Sequence, residues 1–198
     1  HTIGLTLSLF RKLKYSFSHV ESGLWDRGFF KGNEIYQKNV GILGFGRLGK
    51  LTAKYFDAFG ANIMYFDTKK IINSEYISCS SMEELFDFAD ILSIHIPFDE
   101  STHHMINMKY LKRLKKHSII VNTSRGGVIN EEDLFDVLSK KKIRGYASDV
   151  IENEPKIQYS LIHNLSINNE NIVLTPHIGG NTYESIEKTE SFVLMKLI

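Results

Sequence analysis

The chain has 198 residues, 42% of them hydrophobic and 24% charged, with 24 basic side chains against 23 acidic ones for a formal net charge of +1. That composition excludes a collagen-like, low-complexity or wholly disordered chain, and the charge balance excludes a long-range field aimed at nucleic acid or an anionic membrane. A chain this long buries roughly 70% of its unfolded surface, so a single core is the default, and its apolar runs fall well short of the roughly 18 residues that span a bilayer. The one cysteine, Cys79, cannot form an internal disulfide, which points to a reducing compartment and hence the cytoplasm. Residues His1 to Phe10 are apolar, but Arg11, Lys12 and Lys14 follow them where a signal peptide needs its charges ahead. The start without methionine reads as a piece of a longer protein.

In chain order, Ile3, Leu7, Phe10, Leu13 and Phe17 recur at three to four residues and predict one opening amphipathic helix. A loop punctuated by Gly23, Gly28 and Gly32 carries Trp25, and a regular alternation begins after it. Strands are predicted at Asn39 to Leu43, Asn62 to Phe66, Ile91 to His95, Ser118 to Asn122, Ile143 to Asp149 and Asn171 to Thr175. Helices are predicted at Arg47 to Phe59, Ser81 to Phe88, Asn107 to Lys115, Glu131 to Lys140 and from Thr182 onward. Ser81 and Glu84 have capping-box spacing, and Asn130 precedes the acidic first turn Glu131, Glu132 and Asp133. The Asn- and Ser-rich segment from Gln158 to Glu170 reads as a surface excursion. Strands separated by helices pair in parallel through right-handed crossovers, so the expected architecture is a doubly wound α/β parallel sheet of six to seven strands with helices on both faces.

Val40 to Lys50 places G-x-G-x-x-G directly after an apolar strand and at the opening of a helix. Gly44 permits the tight turn, Gly46 lets backbone approach a pyrophosphate, and Gly49 lets the helix pack on the sheet while its first amides face the anion. Asp67, eighteen residues beyond Gly49 at the end of the next strand, is placed to accept hydrogen bonds from ribose hydroxyls and to repel a 2′-phosphate. The combination favours NAD over NADP, a preference weakened by Lys69 and Lys70. Alone, Asp67 reads equally well as a strand-end turn residue.

Ligands of open α/β sheets bind beyond the carboxyl ends of the strands. His95, Arg125, Glu154 and His177 all follow predicted strands and are expected to converge there. An arginine binds a carboxylate bidentately, a histidine exchanges the proton that accompanies hydride transfer, and a neighbouring glutamate orients its ring. Each residue alone has a plainer reading as a loop or turn position, so the inference rests on the set.

With these motifs the chain resembles the nucleotide-binding domain of the D-isomer-specific 2-hydroxyacid dehydrogenases. The resemblance runs almost end to end, through Val40 to Lys50, His95 to Pro97, Val121 to Gly127, Asp149 to Pro155 and Thr175 to Gly180. It implies a Rossmann fold over residues 1–198 with a linking and dimerisation helix at about 1–20, and a homodimer. It implies an NAD-dependent enzyme interconverting a D-2-hydroxy acid and a 2-keto acid, with Arg125 on the substrate carboxylate, His177 as acid/base and Glu154 supporting it. Gly44, Phe45, Gly46, Arg47, Leu48, Gly49, Asp67, His95, Ile96, Pro97, Thr123, Ser124, Arg125, Asp149, His177, Gly179 and Gly180 are the implied cofactor contacts, with Arg47 and Leu48 at the pyrophosphate and Asp149 near the nicotinamide amide. The family's second domain, which supplies much of the substrate pocket, is largely absent from the sequence, so this chain alone is expected to lack activity.

The resemblance also includes a transcriptional corepressor, so an NAD(H)-binding sensor or scaffold is the alternative; a Rossmann domain with other nucleotide chemistry is a third. The basic run from Lys109 to His117 reads as a solvated helix face. His103 and His104 lack a third ligand at plausible spacing, so no metal is expected.

Overall fold

A computed structural model describes residues 1–69, 71–72 and 74–197. Seven parallel strands form one sheet: β1 (Asn39–Leu43), β2 (Asn62–Phe66), β3 (Ile77–Ser78), β4 (Ile91–Ile94), β5 (Ile119–Asn122), β6 (Gly145–Ser148) and β7 (Ile172–Leu174), in spatial order β3-β2-β1-β4-β5-β6-β7. All residues of β4, β5 and β6 are buried, as expected of parallel strands covered on both faces. Alternation divides them between two cores. Leu92, Ile94 and Ile120 face one side with Leu85, Phe86, Leu134 and Ile162, whereas Ile91, Ile119 and Val121 face the other with Leu5, Leu9, Ala53 and Phe56. The first core is covered by α4 (Met82–Phe88), α5 (Met108–Leu111), α6 (Glu131–Ser139) and α7 (Leu161–Ser166), the second by α1 (Thr2–Phe10) and α3 (Arg47–Ala58). The strand order reverses between β1 and β4, and a crevice opens at the carboxyl ends of such a switch point.

The caps follow the sequence closely. Ser81 Oγ accepts from Glu84 N at 3.2 Å, while Glu84 Oε2 reaches back to Ser80 N at 2.9 Å. Asn130 Oδ1 accepts from Asp133 N at 3.0 Å.

Four expectations need correction. The opening helix is two helices, α1 and α2 (Leu13–Glu21), broken where Lys12 adopts φ 54°. Asn33 N–H donates to the Phe10 carbonyl at 3.0 Å, so a distant loop takes up the end of α1. Of the two, α1 buries Leu5, Leu9 and Phe10 in the second core, whereas α2 buries none of its described residues. The helix expected at Asn107 to Lys115 stops at Leu111, after which the backbone bonds tighten to three-residue spacing at Arg113 and Leu114. Its basic residues are not merely solvated: Lys109, Arg113 and Lys115 pair with Glu83, Asp87 and Asp90. The 158–170 segment holds a helix, α7, capped by Ser160 Oγ on His163 N at 3.0 Å and anchored by the buried Ile162. The two-residue edge strand β3, exposed at both positions, is too short to leave a periodic signal. The last helix, α8, spans Tyr183–Leu197. Among the described residues, no helix is long and apolar enough to cross a membrane.

Candidate active site

The turn between β1 and α3 is shaped by steric necessity. Gly44 has φ +88°, and a Cβ there would lie 2.8 Å from the His95 backbone. A Cβ on Gly49 would stand 2.0 Å from the Gly44 carbonyl oxygen, so only glycine lets α3 approach the turn so closely. At Gly46 an added Cβ would meet no described atom within 4 Å, and no described side chain caps the helix. The first turn of α3 therefore faces open space with uncapped amides, the arrangement that attracts an anion. Phe45 turns inward, 2% exposed and stacked on Tyr65 with centroids 3.8 Å apart, so its side chain belongs to the core. Asp67 braces the turn: Oδ2 accepts from Phe45 N at 2.7 Å and Oδ1 from Lys69 N at 2.8 Å. Each oxygen retains acceptor capacity for a hydroxyl. Lys70 lies outside the described residues.

A crevice of about 450 Å³ runs along the carboxyl edge of the sheet, lined by Leu48, His95, Thr123, Arg125, Asp149, His177, Gly179 and Gly180 together with His1, Thr2, Ile3, Leu51, Thr52, Tyr55 and Ser185. It thus gathers residues from both halves of the sheet. Of the other predicted contacts, Ile96 packs on the first core, and Ser124 donates N–H and Oγ–H to Asn122 Oδ1 at 3.0 and 2.8 Å. Arg47 is exposed at the helix start, and Pro97 is exposed beside the crevice-lining His95. His95 Nε2 sits 2.8 Å from Ser93 Oγ, and burial pushes its pKa down to about 4, so the ring is neutral near neutral pH. Asn122 is wholly buried; its Nδ2 donates to the Arg125 carbonyl at 3.0 Å. That bond fixes the turn that presents Arg125, whose exposed guanidinium donates from Nη1 to Ser124 O at 2.7 Å.

His177 Nδ1 lies 2.6 Å from Glu154 Oε1. The carboxylate is an acceptor only, so Nδ1 carries the proton and Nε2 is the free nitrogen. Glu154 stands behind the ring and does not line the crevice; it faces a second, more apolar cavity of about 750 Å³ bounded by Lys14, Ile157, Leu174 and Pro176. The His177 backbone is left-handed, φ 55°, a conformation histidine tolerates better than most residues. Asp149, 2% exposed, holds the loop: Oδ1 accepts from Thr175 Oγ1 at 2.6 Å, Ile178 N at 2.9 Å and His1 Nε2 at 3.1 Å, and Oδ2 from Gly179 N at 2.7 Å. One acceptor position on Oδ2 is left for a ligand amide. Sequence reasoning passed over Asn122, Thr175, Tyr55 and Leu51. The first two have a signal, polar side chains at strand ends where each must be hydrogen-bonded; the last two, on the exposed side of α3, have none.

The family model for the NAD-binding domain of the D-isomer specific 2-hydroxyacid dehydrogenases matches residues 3–179. The chain belongs to this family. It is 36% identical over 188 residues to a D-3-phosphoglycerate dehydrogenase of Methanocaldococcus jannaschii, covering 93% of this chain and 35% of that relative. Its fold superposes on a glyoxylate reductase of Paecilomyes thermophila with a TM-score of 0.90 at 33% identity, covering 99% of this chain and 59% of the other. It matches the Aquifex aeolicus D-lactate dehydrogenase, solved with NAD and lactic acid, at TM-score 0.87 and 29% identity, covering 99% and 64%. The chain therefore spans about a third to two thirds of these relatives. The open helix start, the residual acceptor capacity of Asp67 and the crevice joining both halves of the sheet fit the family's dinucleotide cofactor, NAD.

Proposed function

We propose that the protein forms the cofactor-binding part of an NAD-dependent oxidoreductase interconverting a D-2-hydroxy acid and a 2-keto acid, with phosphoglycerate among the candidate substrates. The observation that carries this reading is the 2.6 Å bond from His177 Nδ1 to Glu154, beside a crevice that His177 shares with Arg125. The amides of the Gly44–Gly49 turn and the start of α3, with Arg47 and Leu48, hold the diphosphate, and Asp67 holds the ribose hydroxyls. When bound, the nicotinamide supplies or accepts the hydride. Arg125 binds the substrate carboxylate through its remaining N–H donors and orients the C2 carbon. His177 Nε2 accepts the hydroxyl proton as hydride leaves C2, and returns it to the carbonyl oxygen in the reductive direction. Glu154 keeps the Nδ1 proton in place and the ring in position. Asp67 disfavours a 2′-phosphate, which selects NAD over NADP.

Residues 1–198 constitute this NAD-binding domain, and the family's substrate domain lies outside them. Exposed Phe17, Val20, Leu24, Trp25 and Phe29 on α2 and the loop after it support a homodimer through this region, and the free Cys79 fits residence in the reducing cytoplasm. Light scattering at micromolar concentration is expected to give a dimer; a strict monomer removes that assignment.

The central test is NADH oxidation by the full-length protein against a panel of small 2-keto acids. Turnover that requires His177 and Arg125 is expected. A protein that binds NADH tightly yet turns over no member of the panel is instead an NAD(H)-dependent sensor or scaffold.

A further inference from the structure

We propose that His103, His104 and Glu152 form a binding site for a borderline-soft divalent cation such as Zn²⁺, bridging the loop after β4 to the loop after β6. In the sequence Glu152 is nearly fifty residues from the histidine pair; the fold supplies it as the third ligand that spacing alone did not show. One ligand atom from each residue lies within 4.8 Å of the other two. His104 Nε2 is 2.8 Å and His103 Nε2 4.0 Å from the same oxygen, Glu152 Oε1.

A tetrahedral ion bound at about 2.0–2.2 Å holds its ligand atoms about 3.4 Å apart. The first separation must therefore open, and the second close, by roughly 0.6 Å, and the two stacked rings must fan apart so that both in-plane nitrogen lone pairs meet at the ion. Consecutive side chains of an extended segment point to opposite faces, but His104 adopts φ 49°, with its N–H bound to Gly127 O at 2.9 Å. The two imidazoles consequently stack side by side, centroids 3.9 Å apart and planes 21° from parallel, with the Phe98 ring edge-on to His103 at 5.8 Å. His103 is 52% exposed, which gives an ion an entry path and leaves the fourth position to water.

Two imidazoles and a carboxylate select zinc, nickel or copper and disfavour magnesium and calcium, which take all-oxygen sites. Ion capture requires the His104 ring proton to sit on Nδ1 rather than Nε2. Nδ1 faces Asn130 Nδ2 at 3.4 Å, a donor that would no longer find an acceptor there, so the affinity is expected to be below that of a structural zinc site. Glu152 is two residues from Glu154, and Phe98 follows Pro97, so an ion here would tie together the two loops that flank the crevice. The site itself stands independently of the catalytic assignment.

The test is a calorimetric titration of the chelator-treated, tag-free protein with ZnCl₂, repeated with Co²⁺ for its tetrahedral absorption bands, and paired with thermal unfolding. Saturable binding of one equivalent is expected, unaffected by excess Mg²⁺. Glu152→Gln and His103→Ala are expected to weaken it by about tenfold or more, and His117→Ala to leave it unchanged. Zn²⁺ should raise the unfolding temperature of the wild type but not of the two weakened variants, because an ion that binds only the folded state stabilises it. His103→Ala removes an exposed side chain, and near-UV circular dichroism verifies its fold. Absence of saturable binding, or binding indifferent to both substitutions, overturns the proposal.

Discussion

The turn after β1 and the loop after β7 stand on the same edge of the sheet and border one crevice, yet they are held by different physics. The first is held by absence: Gly44 and Gly49 are needed because a Cβ would strike backbone at 2.8 and 2.0 Å. The second is held by charge and hydrogen bonding, with the buried Asp149 carboxylate gathering Thr175, Ile178, Gly179 and His1 around it. A sterically defined turn gives a fixed platform for a constant ligand feature such as a diphosphate. A loop pinned by one carboxylate leaves the side chain it presents, His177, free on its reactive side.

The largest effect should come from the reactive side of the second loop. His177→Asn, which tolerates the left-handed backbone, is expected to preserve the fold but lower kcat of the full-length enzyme by about 10²–10⁴-fold, the usual worth of a positioned acid/base. Glu154→Gln should cost less; unchanged turnover in both variants would break the assignment. For the first loop, Gly49→Ala forces α3 away from the Gly44 carbonyl and should destabilise by about 1–3 kcal/mol, as overpacking does, read by denaturant unfolding. Unaltered stability would mean that α3 slides freely on the sheet. For the second loop, Asp149→Asn turns a carboxylate oxygen into a donor facing donors. A loss of about 1–3 kcal/mol is expected, with faster amide exchange at Ile178 and Gly179 and no change at the Gly44 turn; spreading of the exchange to that turn would show that the two loops are not held separately.

The smallest effect is on His95, between the two loops. Burial holds its pKa near 4, against 6.5 for the free side chain. Below pH 6.5 the unfolded chain binds a proton that the folded protein refuses until about pH 4, so the stability tied to a neutral His95 is complete above 6.5 and lost as pH falls through that window. The loss is on the order of 1 kcal/mol once partial exposure is allowed for. His95→Gln should flatten this part of the stability–pH curve, and an identical slope in wild type and variant would show that the ring protonates without penalty.

The strands were legible because they are buried on both faces, which leaves continuous apolar runs bounded by turns. Six of the seven appear where β-prone residues cluster, and β3 does not because two exposed residues carry no period. The break at Lys12 leaves no mark in the sequence pattern because the bond that takes up the end of α1, from Asn33 to Phe10, is tertiary. The helical period runs on through the break. Likewise Phe45 sits within the glycine fingerprint, but packing against Tyr65 decides that its ring faces inward. Of the candidate site, residue types were readable one by one, while Asp149's task as the anchor of the 175–180 loop was not, since its four donors come from two distant stretches of chain, His1 and the 175–179 loop.

The sequence by itself determined the architecture, the glycine turn and the identity of the chemical groups, because these depend on periodicity, Cβ sterics and side-chain type, all of which are local. Tertiary structure alone decided which nitrogen of His177 is free, that Glu154 stands behind the ring rather than in the crevice, and that Glu152 meets His103 and His104. Those facts depend on distances between residues brought together only when the sheet closes.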